Sequence, residues 1–262
     1  MTDVDLPDVH CPDVRCPDVH RAAPVLRREF FAGPSLRVAA RLLGCVLEHE
    51  TAGGRVAVLL TEVEAYEGTA DPASHAYRGR TARNAVMFGP PGHAYVYFTY
   101  GMHFCVNLVC LPEGTASAVL LRAGRVIDGV PLAAARRLAG RPGAAGVPDR
   151  DLARGPARLC QALGIDRGMD GADVCDPASA LRIRSAPPPV VGRPVAGRPV
   201  AGRPVAGAIS RGPRVGVSSA ASRAWRFWLT GDPTVSAYRP HVRRARAKPV
   251  SPPAAEGGTM HR

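Results

Sequence analysis

A chain of 262 residues can bury most of its apolar surface, roughly 70–75% at this size, without disulfides or metal to hold it, which excludes a short structural peptide. Hydrophobic residues make up 46% and charged residues 21%, and no run approaches the roughly 20 apolar residues that cross a bilayer, so a soluble globular protein is expected. The formal charge is +12, from 34 basic and 22 acidic residues, and every basic residue except Lys248 is an arginine, so an anionic partner is expected.

Low-complexity sequence opens the chain. Residues 1–25 repeat Pro-Asp-Val without helical or strand periodicity and read as a disordered segment. They begin acidic, with no basic region leading into an apolar run, so nothing there reads as an export signal and a cytoplasmic address is expected. His10, Cys11, Cys16 and His20 are metal-ligand types, but their spacing follows from the repeat and matches no standard zinc finger. Seven cysteines, an odd number with no Cys-x-x-Cys, point to reduced thiols.

A helix is predicted over Ser35–Leu43, and then a β-rich run, Val56–Tyr66. Period-two alternation there would put Leu60, Glu62, Glu64 and Tyr66 on one face. His93–Cys110 reads as a hairpin broken at Tyr100-Gly101, and Ala118–Arg122 as another short strand. Helices follow at Pro131–Leu138 and Pro156–Leu163, the latter with Pro at its start and Gly164 just past its end. Proline at every fifth residue of the Gly-Arg-Pro-Val-Ala repeats over 187–207 rules out helix or central strand, leaving an exposed loop insertion. Residues 240–262 form a basic tail expected to be disordered; residues 185–262 as a whole hold 13 basic and 2 acidic residues. Strands and helices do not alternate regularly, so one α+β domain over 26–239, built on an antiparallel sheet, is expected.

Aromatic residues are scarce, yet Tyr66, Tyr77, Tyr95, Tyr97 and Tyr100, five of the six tyrosines, fall within 35 residues that also hold His75, with Glu62 and Glu64 just upstream. Tyrosines on strands commonly pack a core with their hydroxyls at its rim. Planar rings beside an acid and an imidazole equally suit stacking on a flat ligand.

The run TEVEAYEGTADPASHAYRGRTARNAVMFGPPGHAYVYFTYGMHFCVNLV, followed by AVLLRA, GPARLCQALGI, GPRVGV and WRFWLTG, resembles the alkyladenine (3-methyladenine) DNA glycosylases of the mammalian type, from about Leu26 to Tyr238 and in the family's order. The resemblance implies an α+β domain with a curved antiparallel sheet, flanking helices and a protruding hairpin. It implies binding of double-stranded DNA, extrusion of an alkylated or deaminated purine, and hydrolysis of its glycosidic bond in base excision repair by a monomer without cofactor or metal. Glu64 matches the general base that deprotonates the attacking water, and Arg122 a residue that helps hold that water. Tyr66 and His75 match residues on one face of the flipped base, and Tyr97 the ring on the other. Asn107 matches the residue that collides with the exocyclic amino group of guanine, and Tyr100 the wedge that fills the gap left in the duplex. Glu62 matches no catalytic position and reads as structural. His103, Ala82 and Asp232 depart from residues frequent in the family, none at a matched catalytic, stacking or wedge position.

The competing reading is a module of the same fold that binds DNA or RNA without cutting it; an intact Glu64 and Arg122 argue against it. A metal-dependent hydrolase finds no His/Cys/Asp cluster at ligand spacing in the motif region. Lesion preference, the role of the repeats and the phosphate contacts are not fixed by the sequence.

Overall fold

A 13-residue strand organises the molecule. In the computed structural model, which describes residues 20–99, 101–140, 146–186 and 209–241, this strand (β2, Gly54–Tyr66) is buried along most of its length. The remaining strands are β1 (Val46–Thr51), β3 (Ala94–Thr99), β4 (His103–Val109), β5 (Ala118–Asp128), β6 (Leu181–Arg184), β7 (Ile209–Gly212) and β8 (Arg226–Leu229). They form an antiparallel sheet in the order β3-β4-β5-β2-β1-β6, with β8 pairing β2 and β7 pairing β8. β5 runs along one edge of β2. The other edge is shared, β1 pairing residues 54–59 and β8 pairing Glu62–Glu64.

Three α-helices are described: α1 (Ser35–Leu42), α2 (Val130–Leu138) and α3 (Pro156–Leu163). α1 buries Val38, Ala39 and Leu42, and α3 buries Leu159, Cys160, Ala162 and Leu163, spacings that set one apolar face of each helix on the sheet. α3 ends where expected, Gly164 adopting φ +72° and donating to the Cys160 and Gln161 carbonyls. The α1 N-terminus is tied to the end of β2 by Glu67, whose carboxylate accepts from Ser35 Oγ (2.6 Å) and from the Leu36 N–H (3.2 Å). The α+β class is as expected. No described helix is long and apolar enough to cross a membrane.

Two sequence expectations need correction. Residues 20–25, expected to belong to the disordered segment, are packed: His20 and Ala23 are buried, His20 Nε2 lies 3.1 Å from Arg55 Nη2, and Val25 bridges Arg184. Unbroken alternation along β2 also fails. The pairing with β5 shifts register between Leu60 and Glu62, a β-bulge in which Thr61 is the extra residue, and shifts back between Glu62 and Val63, where Arg122 is the extra residue on β5. Val56, Val58 and Leu60 therefore face the main core, but beyond the bulge Val63 and Ala65 do. Leu60 points away from Glu62, Glu64 and Tyr66. Opposite the bulge Gly124 is required, since a Cβ there would lie 2.4 Å from the Leu59 carbonyl oxygen. The tip of the β3–β4 hairpin at Tyr100, residues 1–19, the repeats over 187–207 and the tail beyond residue 241 lie outside the described residues.

Candidate active site

The bulge turns Glu62, Glu64 and Tyr66 to the face of β2 away from the main core, and Tyr66 lines a cavity there. Strand register then assembles a row across the sheet: Tyr95 opposes Asn107, Asn107 opposes Leu120, Leu120 opposes Glu64, and Glu64 opposes Arg226 on β8. The next row along the hairpin pairs Tyr97 with Cys105. Tyr95, Asn107 and Leu120 of the first row and Tyr97 and Cys105 of the second, with Tyr66 and Arg122, line a cavity of about 630 Å³ closed by loop residues 72–75 and 215–218 and by Pro156-Ala157 at the start of α3, and Glu64 lies against Tyr66 and Arg122.

Glu64 is fully buried. Its Oε2 accepts from the Tyr66 hydroxyl (2.9 Å), and its Oε1 accepts from the Val215 N–H (2.7 Å) and faces Arg122 Nη1 (3.3 Å). Glu62, two residues back on the same face, is committed elsewhere. Its Oε1 accepts from Arg122 Nε (2.8 Å), Arg226 Nε (2.8 Å) and Ser236 Oγ (2.9 Å), and its Oε2 from the Ser236 N–H (2.7 Å). Burial alone would raise the Glu62 pKa, but Arg122, Arg226 and Ser236 outweigh it and hold the carboxyl below its ordinary range. Arg122 spans both acids; burial opposes its charge, and the two carboxylates more than restore it, so it is a fixed cation beside Glu64.

The aromatic residues converge as well. His75 touches Tyr97 edge to face, ring centroids 4.5 Å apart at 76°, and Tyr97 stacks beside Tyr95 at 5.6 Å. Burial pushes both the Tyr66 and Tyr97 hydroxyls well above the ordinary tyrosine value, Glu64 adding to the shift at Tyr66 and Cys105 at Tyr97. Both stay protonated. Burial, helped by Arg83, lowers His75, which is therefore neutral at neutral pH, with its Nδ1 3.1 Å from the Tyr95 hydroxyl. Asn107, buried, donates from its amide to the Tyr95 carbonyl (3.2 Å).

The sequence reading left several parts of this site without a role. Asn84 holds the His75 loop by donating to the His75 (2.9 Å) and Gly79 (3.0 Å) carbonyls. Arg214 lies 4.5 Å from the Tyr66 ring centroid, and Arg226 and Ser236 complete the shell of Glu62. Of these, Arg214 and Arg226 fall in the strings GPRVGV and WRFWLTG that carried the resemblance, but no local pattern marks either as part of a site. Among the described residues, no three His, Cys, Asp or Glu side chains group so as to hold a metal ion.

Residues 29–233 match the methylpurine-DNA glycosylase (MPG) family. The chain belongs to that family. Among relatives, each named "putative 3-methyladenine DNA glycosylase", that of Streptomyces avermitilis is 54% identical over 223 residues, 84% of this chain and 95% of its own. That of Leifsonia xyli subsp. xyli is 50% identical over 220 residues, 82% and 92% of the two chains. That of Mycobacterium tuberculosis is 44% identical over 219 residues, 82% and 94%. The matched region of this glycosylase contains every side chain of the site described above except Ser236.

Proposed function

We propose that this enzyme, a DNA-3-methyladenine glycosylase by its family, draws alkylated and deaminated purines from duplex DNA into the cavity and hydrolyses them off with water activated by Glu64. The observation that carries the reading is Glu64 itself: a fully buried carboxylate held against Tyr66, Arg122 and Val215, which line a cavity of about 630 Å³, with three donors converging on its two oxygens and no acceptor among them. Such a group is costly to bury and suits an anion that meets positive charge.

The proposed step is balanced. The C1′–N bond breaks with its electron pair going to the departing base, and positive charge develops on the sugar. Water oxygen bonds to C1′ while its proton passes to Glu64. Arg122, fixed between Glu62 and Glu64, orients both the carboxylate and the water. The purine lies with Tyr66 and His75 on one face and Tyr97 on the other, with Asn107 at its edge to exclude the guanine amino group. The β3–β4 hairpin supports entry from the duplex: Phe98 and Met102, flanking the tip, are 45% and 68% exposed. An apolar tip suits insertion between base steps, with Tyr100 as the proposed wedge.

Glu64→Gln tests the assignment. Base release from duplexes carrying 3-methyladenine or hypoxanthine should fall by roughly 10²–10⁴-fold, with lesion binding retained because the amide keeps the shape. The neutral hypoxanthine, the poorer leaving group, should suffer more than the cationic base. Activity within about tenfold of wild type on both, short of the loss expected for a general base, removes Glu64 from that role.

A further inference from the structure

The wall behind Glu64 rests on an ion pair sealed from solvent. Asp71 is fully buried and Arg214 1% exposed, although 143 residues separate them in sequence. Arg214 Nη2 donates to Asp71 Oδ1 at 2.9 Å and Nη1 to Oδ2 at 2.5 Å. Nη1 also donates to the Ala65 carbonyl (3.0 Å), between Glu64 and Tyr66. The guanidinium lies 4.5 Å from the Tyr66 ring centroid and 5.0 Å from that of Trp225. Asp71 in turn fixes the turn leading to His75, accepting from the Ala73 N–H on its side chain and from the Ser74 N–H on its backbone. Arg223, 3.8 Å away, is the other cation facing Asp71.

Stability alone does not explain this arrangement, since well-packed apolar residues commonly replace a buried ion pair without loss. Here the guanidinium also leaves its buried Nε without a partner among the described residues. An apolar pair could not grip the Ala65 carbonyl, support the Tyr66 ring and fix the backbone at residue 214 together. Those three interactions share a target. Residue 214 leads directly into the Val215 N–H that donates to Glu64 Oε1, and Tyr66 carries the hydroxyl that donates to Oε2.

We propose that Arg214, clamped by Asp71, is the positioning residue of the glycosylase carboxylate, fixing both oxygens of Glu64 through the Val215 N–H and the Tyr66 hydroxyl. The proposal rests on the reading of Glu64 as the base. Loss of the guanidinium frees two of the three donors on Glu64 and removes a nearby positive charge, so the carboxylate becomes both mobile and easier to protonate.

The test is single-turnover release of hypoxanthine between pH 5 and 9 by the full chain, for wild type, R214M, R214Q and R214K, with lesion binding measured in parallel. R214M should lose about 10²-fold in rate, the scale of one preorganised donor. Its acid limb should move roughly one unit to higher pH, as removal of an opposite charge demands, with binding unchanged. R214K should keep the acid limb in place and recover part of the rate. If R214M does not fold, R214Q, which can still hydrogen-bond Asp71, carries the same expectation. A wild-type rate in R214M or R214Q overturns the proposal. So does an equal rate loss in the neutral variants and R214K with no movement of the acid limb, which is the mark of a merely structural pair. Glu64→Gln separates the two claims: if it stays active the base reading fails, and if it is inactive while R214M is normal only the positioning role fails.

Discussion

Glu62→Gln and Glu64→Gln make the same chemical change two residues apart and should have opposite consequences. Every atom near the Glu62 carboxylate is a donor: the Nε of Arg122 and Arg226 and both the hydroxyl and the N–H of Ser236. An amide there must turn its NH2 toward one of them, whichever way it flips. Two guanidinium hydrogen bonds each weaken by about 1 kcal/mol on losing the anion, and one buried donor left unmatched costs a further 1–3 kcal/mol or so. The sum, about 3–5 kcal/mol, agrees with the cost of breaking a buried ion pair and corresponds to a fall in Tm of roughly 6–20 °C at this size. At Glu64 the amide can be accommodated. Its carbonyl keeps Val215 and Arg122 while its NH2 donates to the Tyr66 oxygen, because a phenolic hydroxyl can reverse its role. Glu64→Gln should therefore lose only about 1 kcal/mol, the net worth of an ordinary hydrogen bond, while losing its chemistry. Urea unfolding followed by fluorescence of Trp225 and Trp228 measures both. The reasoning is refuted if the two variants are equally stable, or if Glu62→Gln unfolds within about 1 kcal/mol of wild type, less than one buried unmatched donor should cost.

Three further outcomes are expected. His20, His49 and His75 are all held below the ordinary imidazole value, first by burial. The unfolded chain therefore takes up protons near about pH 6.5 that the folded chain refuses. Stability present above pH 7 should fall as the pH drops toward about 5, above the range where carboxylates titrate; equal urea midpoints at pH 8 and 5.5 would contradict this. Borohydride trapping with lesion DNA should give no covalent band, because a Schiff base needs an amine and the only lysine, Lys248, lies in the basic tail; a band that disappears in Lys248→Ala would replace water as the nucleophile. Deleting 240–262 removes Arg243, Arg244, Arg246, Lys248 and Arg262. The log–log salt slope of DNA binding should shrink by about 0.9 for each phosphate that the tail neutralises, and an unchanged slope would show that it neutralises none.

What the sequence made legible was local. α1, α2 and α3 lie within one residue of their expected limits because apolar spacing, a proline start and a glycine stop act over a few residues. β2 and the β3–β4 hairpin were readable for a similar reason, their β-branched and aromatic residues being contiguous. β1 and β6 were not, since their sequences, Val-Leu-Glu-His-Glu-Thr and Leu-Arg-Ile-Arg, look like charged loops. Only the fold brings Arg55, Arg182 and Arg184 onto buried Glu48. β5 continues past Arg122 to Asp128 through Gly124 and Arg125, which interrupt an apolar pattern but suit a strand packed against a bulge. In the site, the resemblance supplied Glu64, Arg122, Tyr66, His75, Tyr97 and Asn107, and the structure lines one cavity with the last five beside Glu64. The contact of His75 with Tyr97 depends on the fold and no spacing encodes it. The Asp71–Arg214 pair joins loops far apart in the chain, so nothing near either residue announces it.

The bulge at Thr61, and not only the composition of β2, decides which of its side chains face the cavity side of the sheet. Upstream of it the even-numbered side chains belong to the apolar layer beneath α1; downstream the odd-numbered ones do. Were the same residues to run on in plain alternation, with no bulge, every later side chain would stay chemically intact, yet Glu64 and Tyr66 would turn into hydrocarbon and Val63 and Ala65 toward the cavity. A substitution in this stretch edits one neighbourhood, whereas a shift of frame exchanges the inside of the protein for its business end.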